Sequence, residues 1–267
     1  MKEFKKFIMH LKENNKLIFT LIINDFKKQY LGSYLGLFWA FAQPLTYIIV
    51  IWFVFTFGFR HGDNPDGTPF FLWLITGMIP WFFFADGFNS GTNAIISNAF
   101  LVKKVAFRVS VLPIIQIGSA FLIHMALVLF LLVAFMLYGY APSLYWLQII
   151  YYLLATIFLL LGLSWLTSSI RVFVKDVSNL ILVIIQVGFW ATPIFWQVDK
   201  IPQKYHFILN LNPMSYIIQG YRDTFINHVW FWERQIDSFY FACISLAVFV
   251  LGATVFRRLR PHFGDVL

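Results

Sequence analysis

Residues 37–59 form a predominantly apolar run without a charged residue, and a helix of this length crosses a hydrocarbon core of about 30 Å. In the stretch before it, a helical period separates an apolar side from a polar side. The apolar side holds Phe19, Ile22, Ile23, Phe26 and Tyr30, and the polar side holds Thr20, Asn24, Lys27 and Lys28. A basic amphipathic segment of this kind is typical of a helix on a membrane surface. The sequence thus predicts a cytoplasmic interfacial helix that leads into a spanning helix.

The composition of the chain requires contact with lipid. Of its 267 residues, 60% are hydrophobic and only 12% are charged, whereas a soluble domain carries about 25% charged residues. Because no water-facing surface can hide so many apolar side chains, we expect an all-α, polytopic protein of the cell (cytoplasmic) membrane, surrounded by membrane lipids. The single cysteine, Cys243, excludes an internal disulfide and a cysteine-based metal site. Residues 1–15 lack the apolar core of a cleavable signal.

Apolar segments that can span the membrane recur along the chain. We predict six spans, at residues 37–59, 70–96, 111–138, 144–170, 177–196 and 239–256. The connection at residues 197–238 is too apolar for a solvated loop, yet its apolar runs are too short to span. Short re-entrant helices are the favoured interpretation, and an extracellular cap lying flat on the headgroups is the alternative. The whole chain, 1–267, is predicted to be one transmembrane domain, with an amphipathic segment at 1–34, a six-span bundle at 37–256 and a tail at 257–267.

The distribution of positive charge orients this bundle. Six spans place both termini on one side, together with the connections at residues 97–110 and 171–176, and that side holds 15 of the 20 Lys and Arg residues. Since an excess of Lys and Arg marks the cytoplasmic side, both termini are predicted to be cytoplasmic. Much of the net charge of +8 is therefore a topology signal. No nucleic-acid-binding motif accompanies it, so nucleic acid is not an expected partner.

Motifs for catalysis and cofactor binding are missing from the sequence. None of the 15 glycines is followed by lysine, so the phosphate-binding loop G-x-x-x-x-G-K-[ST] is absent. The sequence also lacks a zinc-protease motif, a G-x-S-x-G nucleophile motif and an acidic pair for a metal-bound sugar nucleotide. We therefore predict no catalytic, cofactor-binding or metal site, and a chain that is not itself an enzyme.

Asp86 is the most unusual residue within a predicted span, because a carboxylate at that depth is costly unless it faces the bundle interior or a wet cavity. A helical period places four more polar residues within about 100° of it, Asn89, Ser90, Asn93 and Ser97. This polar stripe either lines a translocation path or supplies hydrogen bonds between helices. The sequence leaves both interpretations open.

Aromatic side chains crowd the ends of the predicted spans. Most are expected to be interfacial belt residues, while a minority can line a conduit and offer flat faces to sugar rings. Trp73, Trp81 and Phe84 join the polar stripe as candidate path residues. His124, alone in the third span, is expected to be a hydrogen-bonded structural residue.

The string DFKKQYLGSYLGLFWAFAQPL at residues 25–45 resembles the start of type-2 ABC exporter permeases for polysaccharides and polyol phosphates. Further strings similar to this family follow in order: LVKKVAF (101–107), VKD (174–176), ATPIFW (191–196), LNPMSYIIQGYRD (211–223) and FRRLRPHFGDVL (256–267). Two others, WFVFTFGFR (52–60) and GTPFFLWLITGMIPWFFF (67–84), look most like the transmembrane subunits of wall teichoic acid exporters. O-antigen and capsule exporters are close relatives of those subunits.

The resemblance implies a homodimer of six-span subunits that pairs with two copies of a separate ATP-binding subunit, which would carry ATP and magnesium. It also implies three groups of site residues. The group that couples the permease to the ATPase is Ser97, Asn98, Leu101, Lys103, Lys104, Arg108, Lys175 and Asp176. The group at the exit is Pro193, Asn212, Pro213, Tyr221 and Arg222. The group beside the lipid headgroup of the incoming substrate is Lys27, Lys28 and Tyr30.

The function predicted from the sequence is ATP-driven export of a lipid-linked glycopolymer, with wall teichoic acid favoured and an O-antigen or capsular polysaccharide as the alternative. Two rivals come from other classes. The missing acidic metal pair argues against a membrane glycosyltransferase. The lack of evident inverted-repeat halves argues against an ion-driven secondary transporter with Asp86 as its coupling carboxylate.

Overall fold

The computed structural model describes residues 13–30, 35–58, 67–102, 108–198, 202, 204 and 206–267. Within these ranges the chain is helical and contains no strand, which confirms the predicted all-α class. The helices are α1 (Asn15–Tyr30), α2 (Gly36–Phe53), α3 (Phe70–Ser97), α4 (Ala99–Val102), α5 (Leu112–Leu137), α6 (Ile149–Arg171), α7 (Val177–Ala191), α8 (His206–Asn210), α9 (Pro213–Arg222), α10 (Gln235–Leu259) and α11 (Phe263–Val266).

Five helical segments are long and apolar enough to cross a membrane. They are Phe38–Gly58, Phe70–Ser97, Val109–Leu137, Leu144–Arg171 and Gln235–Val266. Each corresponds to a predicted span, and four of the five include a short π-helical or 3-10 turn next to the α-helix.

The fifth predicted span, residues 177–196, forms the shorter helix α7. This helix has 15 residues, which is about 22 Å at 1.5 Å per residue and less than the hydrocarbon core of about 30 Å. It ends at Ala191 because Thr192 takes an extended conformation, with φ −88° and ψ 143°, as residues before a proline do. The six-span count is therefore not confirmed, since the helical part of the segment ends at Ala191, two residues before Pro193.

Helix α3 lies at the centre of the bundle. It packs against α2, α5, α6, α7 and α9. In its most apolar 18-residue stretch 78% of the residues are buried, compared with 11% in the corresponding stretch of the segment that contains α2. Helix α3 thus forms the core, whereas α2 lies at the periphery, where its large apolar side chains are exposed.

Two glycines allow α6 and α10 to pack backbone against backbone. A Cβ atom added to Gly162 would lie 2.8 Å from the Cα atom of Phe249, and one added to Gly252 would overlap the carbonyl oxygen of Gly162. Small residues at such crossings let membrane helices approach closely and gain van der Waals contact. This pair fixes the last long helix to the core of the bundle.

Both ends of the described chain lie at the same end of the bundle. A second apolar cluster joins the last turns of α3, α6 and α10 to the first turn of α5, and its members include Ile95, Val111, Trp165 and Phe256. Side chains of α1 and α11 pack against this cluster or belong to it. We name this the basic end, because it carries Arg108, Arg171, Lys175, Arg257, Arg258 and Arg260. Its cytoplasmic orientation stays a prediction.

Helix α1 occupies the predicted N-terminal segment and packs on α5. The side chain of Ile22 lies where a Cβ atom on Gly118 would be, and the amide of Gln116 donates a hydrogen bond of 2.7 Å to the carboxylate of Asp25. Phe19, which the helical period assigns to the apolar face, is 62% exposed. The helix exists where it was expected, and its position at a membrane surface stays a prediction.

Short helices fill the described part of residues 197–238, as the sequence predicted. Helix α9 begins at Pro213 because the side chain of Asn212 accepts a hydrogen bond of 3.0 Å from the backbone N–H of Met214, the usual arrangement of an N-cap followed by proline. At its other end, Tyr221 shares a hydrogen bond of 2.9 Å with His124, which lies halfway along α5. Helix α9 thus reaches the middle of the bundle, and its re-entrance into a membrane stays a prediction.

Replacing Gly252 by alanine should destabilise the fold, because its Cβ atom would push α10 away from α6. Overpacking of this kind costs about 1–3 kcal/mol, and a chain of this size loses about 2–4 °C in melting temperature per kcal/mol. The measurement is thermal unfolding of the purified protein in detergent, followed by tryptophan fluorescence. The matched control is Gly264→Ala, because a Cβ atom there would meet open space. Equal melting temperatures for both variants would contradict the close helix contact.

Candidate functional site

Two cavities open beside α3, about half the helix apart. The inner cavity has a volume of about 300 Å³ and is bordered by Asp86. The outer cavity has a volume of about 590 Å³ and is bordered by Trp73. Trp73 lies in the first turn of α3 and Asp86 lies beyond its middle, so one buried helix supplies a wall to both.

The inner cavity lies between the last turn of α1, the first half of α2 and the facing parts of α3 and α5. Its polar and aromatic lining includes Gln29, Tyr30, Trp39, Gln43, Tyr47, Asp86 and His124. Burial raises the pKa of the Tyr30 phenol above its usual value, and the nearby carboxylates of Asp86 and Asp25 raise it further. The phenol therefore stays protonated at neutral pH and can donate a hydrogen bond.

The structure brings the predicted headgroup residue Tyr30 and the predicted path residue Asp86 into this one cavity. Asp86 accepts a hydrogen bond of 3.2 Å from the hydroxyl of Ser90, one turn further along α3. Lys27 and Lys28 are exposed on α1 and do not line the inner cavity.

Asn93 of the polar stripe connects α3 to α7. The Asn93 amide donates a hydrogen bond of 2.9 Å to the carbonyl oxygen of Asn89, and its Oδ1 atom accepts one of 3.3 Å from Ser178 at the start of α7. One residue before Asn93, the hydroxyls of Thr92 and Thr167 share a hydrogen bond of 2.7 Å between α3 and α6. Both interpretations of the stripe thus have a place, because Asp86 borders a cavity and Asn93 connects helices.

Trp81 and Phe84 line neither cavity. Both are buried, with their rings 5.5 Å apart, and the Trp81 ring also packs on Phe189 of α7 at 6.0 Å. A Cβ atom on Gly188 would lie 2.9 Å from the Trp81 ring. These two aromatics form the contact between α3 and α7, so their predicted role in a path has no support from a neighbouring cavity.

The outer cavity lies between α9, the first turns of α3, α6 and α10, and the segment after α7. Arg222 is only 4% exposed, and its guanidinium carbon lies 3.7 Å from the centre of the Trp73 ring. Its Nη2 atom donates a hydrogen bond of 2.9 Å to the carbonyl oxygen of Ile194. The structure therefore stacks a predicted exit residue on a predicted path residue, a cation–π contact that gains strength when it is desolvated.

A buried carboxylate lies next to this stack. Asp223 is 1% exposed and accepts two hydrogen bonds of 2.9 Å from Arg234, from Nε to Oδ2 and from Nη2 to Oδ1. The amides of Gln219 and Asn227 donate two further hydrogen bonds to its Oδ1 atom. Burial lowers the pKa of Arg234, but the hydrogen bond to Asp223 and the negative charges of Asp223 and Asp237 together outweigh this, so the pKa is raised above its usual value. This Asp223–Arg234 latch joins the end of α9 to the start of α10.

The sequence analysis did not identify the latch. Asp223 belongs to the string LNPMSYIIQGYRD, and the signal that was available is the adjacent pair Arg222 and Asp223 within an otherwise apolar stretch. If this apolar stretch is buried, each of the two charged side chains needs a hydrogen-bonding or ionic partner.

The remaining exit residues hold α7 to α9. The Asn212 amide donates a hydrogen bond of 2.8 Å to the Thr192 hydroxyl, and Pro193 is buried beside it. His124, expected to be structural, stacks on Phe83 at 4.6 Å and bonds to Tyr221. Among the candidate exit residues, Arg222 and Asn212 border the outer cavity.

The described coupling residues share the basic end of the bundle. Ser97 is the last residue of α3, and the amide of Asn98 closes that helix with a hydrogen bond of 3.0 Å to the carbonyl oxygen of Ala94. Arg108 lies just before α5, and Lys175 and Asp176 are exposed in the turn between α6 and α7. Lys103, Lys104 and the side chain of Leu101 lie outside the described residues. Their contact with an ATPase stays a prediction.

The part of the chain that the structure describes holds no group of three or more His, Cys, Asp or Glu side chains with the geometry of a metal site. What both cavities offer instead is hydrogen-bonding side chains beside aromatic rings, an arrangement suited to binding a polar ligand without covalent chemistry.

Comparison with known proteins places these features in context. The sequence profile of the ABC-2 type transporter family matches residues 16–226. An O-antigen export system permease protein, RfbA, of Klebsiella pneumoniae is 30% identical over 262 residues, which cover 96% of this chain and 98% of the relative. The RfbA protein of Myxococcus xanthus is 26% identical, with 97% and 98% covered. The polysialic acid transport protein KpsM of Escherichia coli is 20% identical, with 89% and 91% covered.

Breaking the Asp223–Arg234 latch should destabilise the protein, and the two single variants should differ. Removing one partner of a buried ion pair costs about 3–5 kcal/mol. Arg234→Ala should show the larger loss of stability, because it leaves the carboxylate of Asp223, which is only 1% exposed, without a partner. Asp223→Ala leaves Arg234 without a partner, but this side chain is 35% exposed and can reach water. Thermal unfolding of both single variants and the double variant measures the coupling.

The control for the latch is Asp265→Ala, which removes a carboxylate at an exposed position and should leave the melting temperature unchanged. If the free energy of unfolding lost in the double variant equals the sum of the losses in the two single variants, the two side chains do not interact.

Proposed function

This chain belongs to the ABC-2 type transporter family, and we propose that it is the permease subunit of an ATP-driven exporter for a lipid-linked surface polysaccharide of the O-antigen type. The observation that carries the proposal is similarity from end to end. The RfbA permeases of Klebsiella pneumoniae and Myxococcus xanthus match 96% and 97% of the chain. A relative aligned over its whole length shares the arrangement of spans as well as isolated motifs.

The comparisons favour O-antigen export over the wall teichoic acid export that the sequence strings favoured. Those strings, at residues 52–60 and 67–84, contain aromatic residues that pack on one another where α2 meets α3. The rings of Trp52 and Phe71 are 6.1 Å apart, and those of Phe55 and Phe70 are 6.0 Å apart. Such residues are selected by helix packing, which exporters of different polymers share, so the strings carry little information about the polymer.

An ABC exporter requires an ATP-binding subunit, and the phosphate-binding loop that such a subunit needs is absent from this sequence. We propose that two copies of this permease pair with two copies of a separate ATPase, which binds ATP and magnesium. The ATPase would dock on the basic end, where Ser97, Arg108, Lys175 and Asp176 lie. Its closure on ATP would move these turns as rigid levers.

The proposed path uses the inner cavity first. The lipid carrier approaches between α1 and α2, where the exposed Lys27 and Lys28 attract its phosphate groups. The sugar units then meet the hydroxyl of Tyr30 and the carboxylate of Asp86 in the cavity. Beyond it the glycan moves between two copies of the permease, along α2 and α7, whose large apolar side chains are exposed, and leaves beside α8 and α9. The relatives are named permeases of export systems, and nothing in the comparisons favours a glycosyltransferase or an ion-coupled transporter.

Deleting the gene for this chain should remove the polysaccharide from the cell surface and trap its lipid-linked form inside. The reason is that synthesis continues on the cytoplasmic side while transfer across the membrane stops. Gel analysis of surface polysaccharide and extraction of lipid-linked intermediates measure the two pools.

A plasmid copy of the wild-type chain should restore the surface polysaccharide, and deletion of the partner ATPase should give the same defect. A deletion strain with an unchanged surface would refute the export function, whatever the polymer.

Variants of the polar stripe should separate the two roles that we propose for it. Asp86→Asn replaces the carboxyl group that borders the inner cavity by an amide of the same shape, so we expect export to fall about tenfold, the value of one hydrogen bond, with little change in melting temperature. Asn93→Ala breaks the link to Ser178, so it should lower the melting temperature and leave export per folded molecule near the wild-type level. Export that is normal in Asp86→Asn would remove Asp86 from the path.

A further inference from the structure

The outer cavity contains buried hydrogen-bonding atoms that no described residue satisfies. The Nε atom of Arg222 and the hydroxyls of Ser215 and Tyr152 are buried, and none of the three has a hydrogen-bond partner among the described residues. All three side chains border the cavity. Because buried polar groups are nearly always paired, three such atoms at one cavity indicate that a polar ligand or ordered water completes the site.

The charges around the outer cavity cancel. Its described lining contains two guanidinium groups, Arg222 and Arg234, and two carboxylates, Asp223 and Asp237. Asp223 is engaged by Arg234 through two hydrogen bonds, and Asp237 also lies close enough to act on the charge of Arg234. A neutral balance favours a neutral ligand over a phosphate or pyrophosphate group, because an anion would face the carboxylates as well as the guanidinium groups.

The other lining residues suit hydroxyl groups. Asparagine and glutamine side chains offer a donor and an acceptor side by side, and the cavity is bordered by Asn210, Asn212, Gln219 and Asn227. Aromatic rings from Trp73, Tyr152 and Tyr216 complete the wall and offer apolar surface to the C–H faces of a sugar. A volume of about 590 Å³ falls within the range of about 300–1,000 Å³ that is usual for ligand sites.

We infer that the outer cavity binds a neutral sugar unit of the exported glycan, with Arg222 and Ser215 as hydrogen-bond donors to its hydroxyl groups. This inference rests on the proposed export function and adds a binding site within one subunit, separate from the path between two copies. The cavity lies at the end of the bundle opposite the basic end, so the sugar it holds has already passed the inner cavity. A weak site there holds the emerging chain while the inner cavity accepts the next unit.

The test measures binding of a defined glycan to the full-length permease, purified with its ATP-binding subunit in lipid nanodiscs. The probe is the surface polysaccharide of the same cells, freed from lipid by mild acid and trimmed to short oligosaccharides. Titration followed by saturation-transfer NMR gives Kd. Ser215→Ala should weaken binding about threefold to tenfold, the value of one hydrogen bond, and Arg222→Lys should weaken it about tenfold, the value for a charged donor. Arg222→Lys keeps the positive charge and loses the Nε atom and the planar stack on Trp73.

The matched control is Ser143→Ala. The Ser143 hydroxyl is also buried without a partner among the described residues, but it does not border the outer cavity, so Kd should stay at the wild-type value. Inorganic pyrophosphate is titrated in parallel, and no competition with the glycan is expected.

Three results would overturn the inference: no binding of the glycan to the wild-type complex, equal Kd values for Ser215→Ala and wild type, or displacement of the glycan by pyrophosphate. The deletion strain decides the export function separately. If that strain loses its surface polysaccharide and the Ser215→Ala complex binds the glycan normally, the export function stands and the cavity assignment alone is wrong.

Discussion

The burial of α3 in the middle of the bundle is the constraint on which the rest of the structure depends. In a hydrocarbon environment an unsatisfied polar group costs several kcal/mol, so a polar residue on this helix needs either a partner or a cavity. Thr92 meets Thr167, Asn93 meets Ser178, and Asp86 borders the inner cavity. The polar groups of the permease are therefore arranged along a helix that cannot rotate without breaking hydrogen bonds to two neighbours.

The same packing separates a rigid part of the bundle from a looser one. Helices α6 and α10 are in backbone contact at Gly162 and Gly252, and a Cβ atom on Gly91 of α3 would overlap the Ser164 side chain of α6. Helix α7, in contrast, leaves Leu182, Val183 and Val187 about half exposed. A motion that starts in the turn between α6 and α7 would therefore move α7 against a fixed unit of α3, α6 and α10. Such sliding of a weakly packed helix along a tightly packed unit is a shear motion.

Long apolar segments were predictable from the sequence because length and absence of charge determine them. The predicted span at 144–170 and the observed segment Leu144–Arg171 differ by one residue, and the span at 70–96 and α3 also differ by one. The span at 177–196 was too long because hydrophobicity continues through Ile194 and Phe195 after Pro193 has ended the helix. Helical periodicity describes one segment at a time and cannot show which segments meet across a turn.

The candidate site was less predictable than the spans for the same reason. The sequence identified Asp86 as unusual, and the family resemblance placed Arg222 near the exit, but the settings of both side chains depend on other helices. Arg222 needs Trp73 of α3 beneath it, and Asp223 needs Arg234, which follows it by eleven residues.

The balance of charge around the outer cavity follows from how the two arginines divide their roles. Arg234 neutralises Asp223 through a bidentate pair, which is the most specific geometry available to a guanidinium group. Arg222 stacks on Trp73 and spends one N–H group on the carbonyl oxygen of Ile194, which leaves its Nε atom for a ligand. The latch between α9 and α10 therefore leaves the described lining of the outer cavity with balanced charge, and this balance is the physical basis for inferring a neutral, hydroxyl-bearing ligand there rather than an anionic polymer such as a polyol phosphate.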